Sequence, residues 1–218
     1  MARLRAPSKE DSQKLPPFAT LSDQAIHIPA SDAQFEEARA ALRAARVLGF
    51  DTESKPLFEA AQTDTGPHLV QLATCSNAWL LQLHHPQALE LAAEILGNPA
   101  IRKAGFGLDN DLRALPARLG VELHHVVDLD RTFKRHGYGN SVGVRAAAAL
   151  VLGRNFHKSK RISTSNWAAL QLSQAQCRYA ANDAHAAAMI DAALPAWEQR
   201  QPPIAERQRR PRTAAATP

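Results

Sequence analysis

The sequence predicts a single α/β domain built on a mixed five-stranded sheet flanked by helices, and three observations carry that prediction. Apolar runs at 47–51, 68–74 and 78–83 follow one another, with turn-forming residues around 64–67 and 76–77. The last two runs therefore read as a hairpin, and this part of the sheet as antiparallel. Beyond residue 86, helical and strand patterns alternate, which calls for parallel pairing. With 218 residues, 45% of them hydrophobic, the chain has material for one full core.

In chain order, residues 1–20 and 198–218 are rich in Pro, Ala, Gln and Arg without apolar periodicity. Both are expected to be disordered tails, leaving 21–197 as the folded domain. Residues 26–28 are a short candidate strand. Ser31 and Gln34 have capping-box spacing and open a helix whose apolar face is Phe35, Ala38 and Leu42, ending before Val47. After the three strands come a helix at 87–96, a strand at 101–106, a helix at 109–119 closed by Gly120, and a strand at 125–129. Helix then dominates up to Leu194, where Pro195 is expected to stop it. Pro116 should kink or divide its own helix, and Asp109 should cap that helix's start. Ser173 and Gln176 form a second capping-box pair at the head of the last helix.

Composition narrows the class. Two cysteines, Cys75 and Cys177, cannot make a disulfide framework and suit a reducing compartment. The first eleven residues hold no apolar signal core, and no run is long enough to span a membrane, so a soluble cytoplasmic protein is expected. The net charge of +5 suggests a nucleic-acid partner. Residues 1–15 carry four Lys/Arg against two acids and 198–218 carry five against two, so the tails supply the whole excess and the core is neutral. Solubility and nucleic-acid binding account for such tails equally well.

The chemistry-bearing residues are acidic. Asp51 and Glu53 end an apolar run two residues apart, and the strand period of two puts both on one face. Alone, such a strand end is usually a polar loop entry. Tyr179 and Asp183 are four apart, which stacks phenol and carboxylate on one side of a helix. Asp111 supplies a further carboxylate from between them. Carboxylates gathered in one place repel unless protons or cations neutralise them. An oxygen-only donor set suits Mg²⁺ or Mn²⁺, which leave open positions to water and substrate phosphate, and so points to phosphodiester chemistry.

Other polar residues have plainer readings. His84 and His85, like His124 and His125, are adjacent and would point to opposite faces of a strand. His185 sits off the Tyr179–Asp183 face, and Asp128 and Asp130 are turn or cap residues. Arg154, His157, Lys158, Lys160 and Arg161 form a basic run just before Ser165-Asn166-Trp167. It reads either as a solvated loop or as an edge that grips phosphate through Lys158, Lys160 and Arg161. Trp167 is a packing anchor, and Lys55 is a further candidate for touching substrate.

Three motifs in order carry a resemblance: Gly49-Phe50-Asp51-Thr52-Glu53; Lys103-Ala104-Gly105-Phe106-Gly107-Leu108-Asp109-Asn110-Asp111; and Ser165-Asn166-Trp167 leading to Tyr179-Ala180-Ala181-Asn182-Asp183. Each is weak alone. Together, over about 25–194, they make the chain resemble the tyrosine branch of the DEDD 3′→5′ exonucleases, near ribonuclease D and the Werner exonuclease domain. The resemblance implies a ribonuclease-H-like fold whose first three strands are antiparallel. It also implies two divalent cations, Mg²⁺ or Mn²⁺: Asp51 bridging both, Glu53 and Asp183 holding the one that activates water, Asp111 holding the other. Tyr179 would orient the attacking water. The implied partners are 3′ ends of single-stranded RNA or DNA, and the implied products nucleoside 5′-monophosphates. Two other readings are a nucleic-acid-binding module of this fold without catalysis, and a ribonuclease-H-like endonuclease. The latter has no reason to keep the Tyr-x-x-x-Asp pair. Gln171 stands where relatives often carry proline, which touches loop stiffness and not the acidic set. Ribonuclease D continues into helical nucleic-acid-binding domains, whereas only a short tail follows Leu194 here.

Overall fold

The computed structural model describes residues 3–56 and 65–201. Its core is a mixed sheet of strands β1 (Ile26–His27), β2 (Val47–Glu53), β3 (Leu69–Ala73), β4 (Ala78–Gln82), β5 (Arg102–Gly105) and β6 (Val126–Asp128), in the order β1-β4-β3-β2-β5-β6. Strands β2, β3 and β4 are antiparallel neighbours, while β5 runs parallel to β2 and β6 parallel to β5. The sixth strand, one more than expected, is the short candidate at 26–28. Ile26 and His27 pair parallel with Ala78 and Trp79 and cover an edge that would otherwise expose unpaired backbone groups.

Helices α2 (Asp32–Ala44), α3 (Pro86–Gly97) and α4 (Asp111–Leu119) cover one sheet face. There Phe35, Leu42, Leu91 and Ile95 close on Leu48, Phe50, Val70, Leu72 and Leu81. The opposite face belongs to α8 (Gln174–Gln199), which lies across β2, β3, β4 and β5. Alternation along β2 explains the split, since Leu48 and Phe50 point one way and Gly49, Asp51 and Glu53 the other. α8 comes very close because small residues line the contact. A Cβ built on Gly49 would stand 1.8 Å from the Ala184 carbonyl oxygen and 2.7 Å from the Ala188 nitrogen. The smaller helices α5 (Leu129–Arg135), α6 (Val144–Ala147) and α7 (Lys160–Ser163) fill the chain between β6 and α8, with a π-helical turn at Ala148–Leu152. No helix among the described residues is long and apolar enough to cross a membrane.

Several local expectations hold. Ser173 and Gln176 make the full capping box at the head of α8. At α2 the Ser31 hydroxyl accepts the Gln34 N–H, while the Gln34 side chain accepts from Ala30 instead of from the cap residue. Gly120 closes α4 in the left-handed conformation, with φ of 68°. Cys75 and Cys177 are both free thiols.

Others are corrected. Residues 3–20 are not a loose tail. Helix α1 (Lys9–Gln13) forms within them, the Leu4 N–H donates to Gly137, and Phe18 is buried against Phe156 and His185. The segment lacks apolar periodicity because two isolated anchors, and no continuous face, attach it. Pro195 does not stop the last helix, which runs on to Gln199. Trp197 explains this, since its indole is buried against Phe133 and His136 and holds the final turn in place. Residues 202–218 of the expected C-terminal tail lie outside the described residues. α4 passes through Pro116 as one helix, and Asn110, not Asp109, stands at its N-cap. Asp109 is turned outward to an exposed ion pair with Arg131.

Gly49→Ala should lower the stability of the domain by about 3 kcal/mol or prevent folding, because the new methyl must push α8 off β2. Urea unfolding monitored by circular dichroism measures it; an unchanged midpoint would mean that the helix can retreat freely.

Candidate active site

The two acidic residues of β2 are set by the contact just described. Gly49, Asp51 and Glu53 share the face that α8 covers, and α8 brings Asp183 and, one turn earlier, Tyr179 to the same place. Asp111 arrives from the first turn of α4, behind a turn that a fifth carboxylate shapes. Asp128 accepts the N–H groups of Gly107 and Leu108, each at 3.2 Å, and also caps α5. Gly107 adopts φ of 68° there. The Thr52 hydroxyl donates to the Asp111 carboxylate, tying β2 to α4. The five residues singled out from sequence therefore meet around one end of β2.

Burial makes this an electrostatically costly place. Asp183 is 3% exposed, and its carboxylate is met by the Lys158 ammonium and the Tyr179 hydroxyl. Its pKa is raised by burial, against the pull of Lys158. Burial and the neighbouring Asp183 charge raise Asp51 likewise. Burial, then Asp51 and Asp183, push Glu53 up to about 9. Asp111 is raised by burial, with the Thr52 hydrogen bond opposing. Tyr179 is pushed above its ordinary value by burial and by Asp183, so its phenol keeps its proton. A site with so many raised acids is short of positive charge.

Lys158 supplies part of the deficit. Its Nζ lies 2.9 Å from Asp183 Oδ2 and 5.6 Å from the centre of the Tyr179 ring. Asp183 and Asp51 raise its pKa although burial opposes them. Among the four lysine and arginine candidates only Lys158 enters the site. Lys160 and Arg161 are exposed on α7, and Lys55 is exposed just beyond β2. The donors suit a hard divalent cation, being oxygen-only, partly buried and under-neutralised. No preassembled metal shell exists, however: among the described residues no three Asp, Glu, His or Cys side chains are drawn together as ligands. Asp111 is turned to Thr52 and Asp183 to Lys158, and the ammonium stands in for a cation.

Two participants escaped the sequence reading. Thr52 has no signal beyond its place between two acids. Gln71 pairs directly across from Asp51 in the β2–β3 register and shares the face of Leu69 and Ala73, which pack on α8. It is fully buried, and neither its amide nitrogen nor its oxygen has a hydrogen-bond partner among the described residues. Trp167 is the anchor expected, 1% exposed with its indole N–H donating to Ser163. His185 is a packing residue, its Nδ1 3.2 Å from the Thr74 carbonyl.

The mixed sheet with α8 laid over an acidic strand end defines an α/β nuclease domain of the ribonuclease-H-like class. Residues 26–195 match the family model described as 3′-5′ exonuclease, and the chain belongs to that family. Among curated relatives, it is 29% identical to the bifunctional 3′-5′ exonuclease/ATP-dependent helicase WRN of Mus musculus over 74% of this chain and 12% of that protein. Among solved structures, the Nibbler EXO domain of Aedes aegypti aligns with a TM-score of 0.70 at 22% identity, covering 87% of this chain and 97% of the other. The RNase D of Trypanosoma brucei in complex with RNA U12 aligns with a TM-score of 0.66 at 22% identity, over 77% and 61%. Both structures share the fold. The chain spans between 12% and 49% of the length of the curated relatives it matches.

The raised Glu53 gives a pH dependence. Unfolded, it titrates near its ordinary 4.5; folded, at about 9. Between those values the folded chain keeps a proton that the unfolded chain has released, so stability is full on the acid side and drains away as pH rises. With a chelator present, Tm should fall from about pH 5 to about pH 9. A flat or rising profile would show Glu53 ionised within the fold.

Proposed function

We propose that the protein is a metal-dependent 3′→5′ exonuclease that hydrolyses phosphodiester bonds at the 3′ ends of single-stranded RNA or DNA and releases nucleoside 5′-monophosphates. The observation that carries this reading is the meeting of Asp51, Glu53, Asp111, Asp183 and Tyr179 at one under-neutralised, partly buried place. Asp51, Glu53, Asp111 and Asp183 would hold two Mg²⁺ or Mn²⁺ ions, Asp111 turning from Thr52 to do so. When bound, such ions neutralise the scissile phosphate and make a water molecule acidic enough to attack. Tyr179, kept protonated by its surroundings, acts as a hydrogen-bond donor that orients that water and not as a base. Lys158 lies against Asp183 and would take a phosphate oxygen once metal ions relieve it of that carboxylate. Lys160, Arg161 and Lys55 would act further along the strand. The U12 complex of the trypanosomal relative favours RNA among single-stranded substrates.

A second reading, a binding module without catalysis, is favoured by the Lys158–Asp183 pair. One assay separates them. Digestion of 5′-labelled single-stranded RNA and DNA with Mg²⁺ or Mn²⁺ should give a ladder shortening from the 3′ end, abolished by Asp51→Ala and by chelator. Tyr179→Phe should reduce kcat by roughly a hundredfold while metal binding, measured by calorimetry, persists. Retained binding with no shortening would favour the binding module, and internal fragments an endonuclease.

If Lys158 stands in for a cation, Lys158→Met should lower metal-free stability near neutral pH by about 2 kcal/mol. That corresponds to a drop of about 4–8 °C in Tm, and millimolar Mg²⁺ or Mn²⁺ should recover much of it. Unchanged stability on mutation would remove that role.

A further inference from the structure

The segment before residue 26 lies outside the family match, yet it is fixed on the domain at both ends. At one end the Leu4 N–H donates to Gly137 and the Gly139 N–H donates back to Leu4, at 2.9 and 3.0 Å. At the other, Asn155 donates to Pro16 at 2.8 Å, Phe18 donates to Asn155 at 3.0 Å, and the Phe18 ring is buried 5.2 Å from Phe156. Between these anchors α1 is held by the reciprocal Ser8–Asp11 cap. Its opening turn borders the site, for Pro7 and Lys9 line a cleft of about 360 Å³ together with Asp51, Asp183 and, from α6, Arg145.

Lys9 is exposed and Arg145 half-buried, and among the described residues neither has an ion-pair partner. The acids on the cleft do not claim them. Asp130 is held by Lys134 and by the Val142 N–H, both at 2.6 Å, and Asp183 by Lys158. An acidic centre repels a polyanion, so cations on the rim must hold the strand's phosphates while the chemistry proceeds. The cleft lies within the range of small-molecule sites and is large enough for a nucleotide.

We propose that Lys9 and Arg145 form a phosphate-binding lip on this cleft, with the N-terminal strap as its fixed wall, that grips the backbone of a single strand of RNA or DNA beside the acidic centre. This rests on the phosphodiesterase reading of that centre. Lys9 reaches the strand from the segment before residue 26, where the family match begins.

The test uses the full chain with Lys9→Ala, Arg145→Ala, the double variant, and Lys14→Ala as a control that removes the same charge elsewhere on the strap. Digestion of a labelled single strand gives KM and kcat, and fluorescence anisotropy in chelator gives Kd without catalysis. The double variant should raise KM and Kd roughly tenfold while kcat stays within about twofold. The slope of log Kd against log salt should become shallower by about 0.7 for each phosphate that is no longer neutralised. Lys14→Ala should behave as wild type, and matching melting curves would confirm that every variant folds. Wild-type KM, Kd and salt slope in the double variant would overturn the lip, as would an equal effect of Lys14→Ala. A wild-type protein that binds but does not digest defeats the exonuclease reading while the Kd comparison still decides the lip. One that does neither defeats both.

Discussion

Everything at the acidic centre depends on how closely α8 can approach β2. A strand and a helix normally stay apart by the thickness of two side chains, and here one of the two layers is missing at Gly49. Ala180, Ala181, Ala184 and Ala188 thin the other layer, and all are buried. The fit leaves Asp183 facing the acidic end of β2, with Tyr179 one turn away. A bulkier contact would keep the same topology and lose the convergence of the carboxylates.

Close approach has an electrostatic cost, and Lys158 is the chain's own answer to it. Carboxylates pressed under a helix would otherwise have to hold protons, as the raised values of Asp51, Glu53 and Asp183 indicate. The ammonium beside Asp183 opposes that rise there. It also joins the loop before α7 to the centre, so the segment between the π-helical turn and α7 is held by charge as well as by packing. Its neighbour Trp167 gives the same region an apolar anchor against the Tyr179 ring, 6.0 Å away.

How much of this could be read from sequence follows from the range of the forces involved. Period-two alternation put Asp51 and Glu53 on one face, and helical spacing paired Tyr179 with Asp183, because both depend only on local geometry. The antiparallel beginning and parallel remainder of the sheet were legible from the order of runs and turns. Attachments made by single residues were not. Phe18 and Leu4 fix the N-terminal strap without any repeat to announce them, and Trp197 carries a helix through Pro195 by burying one indole. The order of motifs singled out Asp111, but nothing in the spacing showed that Asn110 and not Asp109 would stand at the head of α4. Likewise the spacing of Lys158, Lys160 and Arg161 does not reveal that one enters the site and two remain in solvent. The fold was legible because it repeats; the finer wiring of the site was not, because each link in it is made once.

Gln71 shows what the centre demands of the sheet beneath it. A buried amide without partners costs on the order of 1–3 kcal/mol for each group left unsatisfied, and an aliphatic side chain at that position would pack against Leu69, Ala73 and α8 at no such cost. Selection for thermal resilience alone would therefore replace it early. Glutamine opposite Asp51 leaves the domain less stable than an aliphatic residue at the same place would. Variants found by screening for heat tolerance should therefore include an aliphatic residue at position 71, while the other sheet face, with Leu48, Phe50, Val70 and Leu72 already packed, offers little to gain.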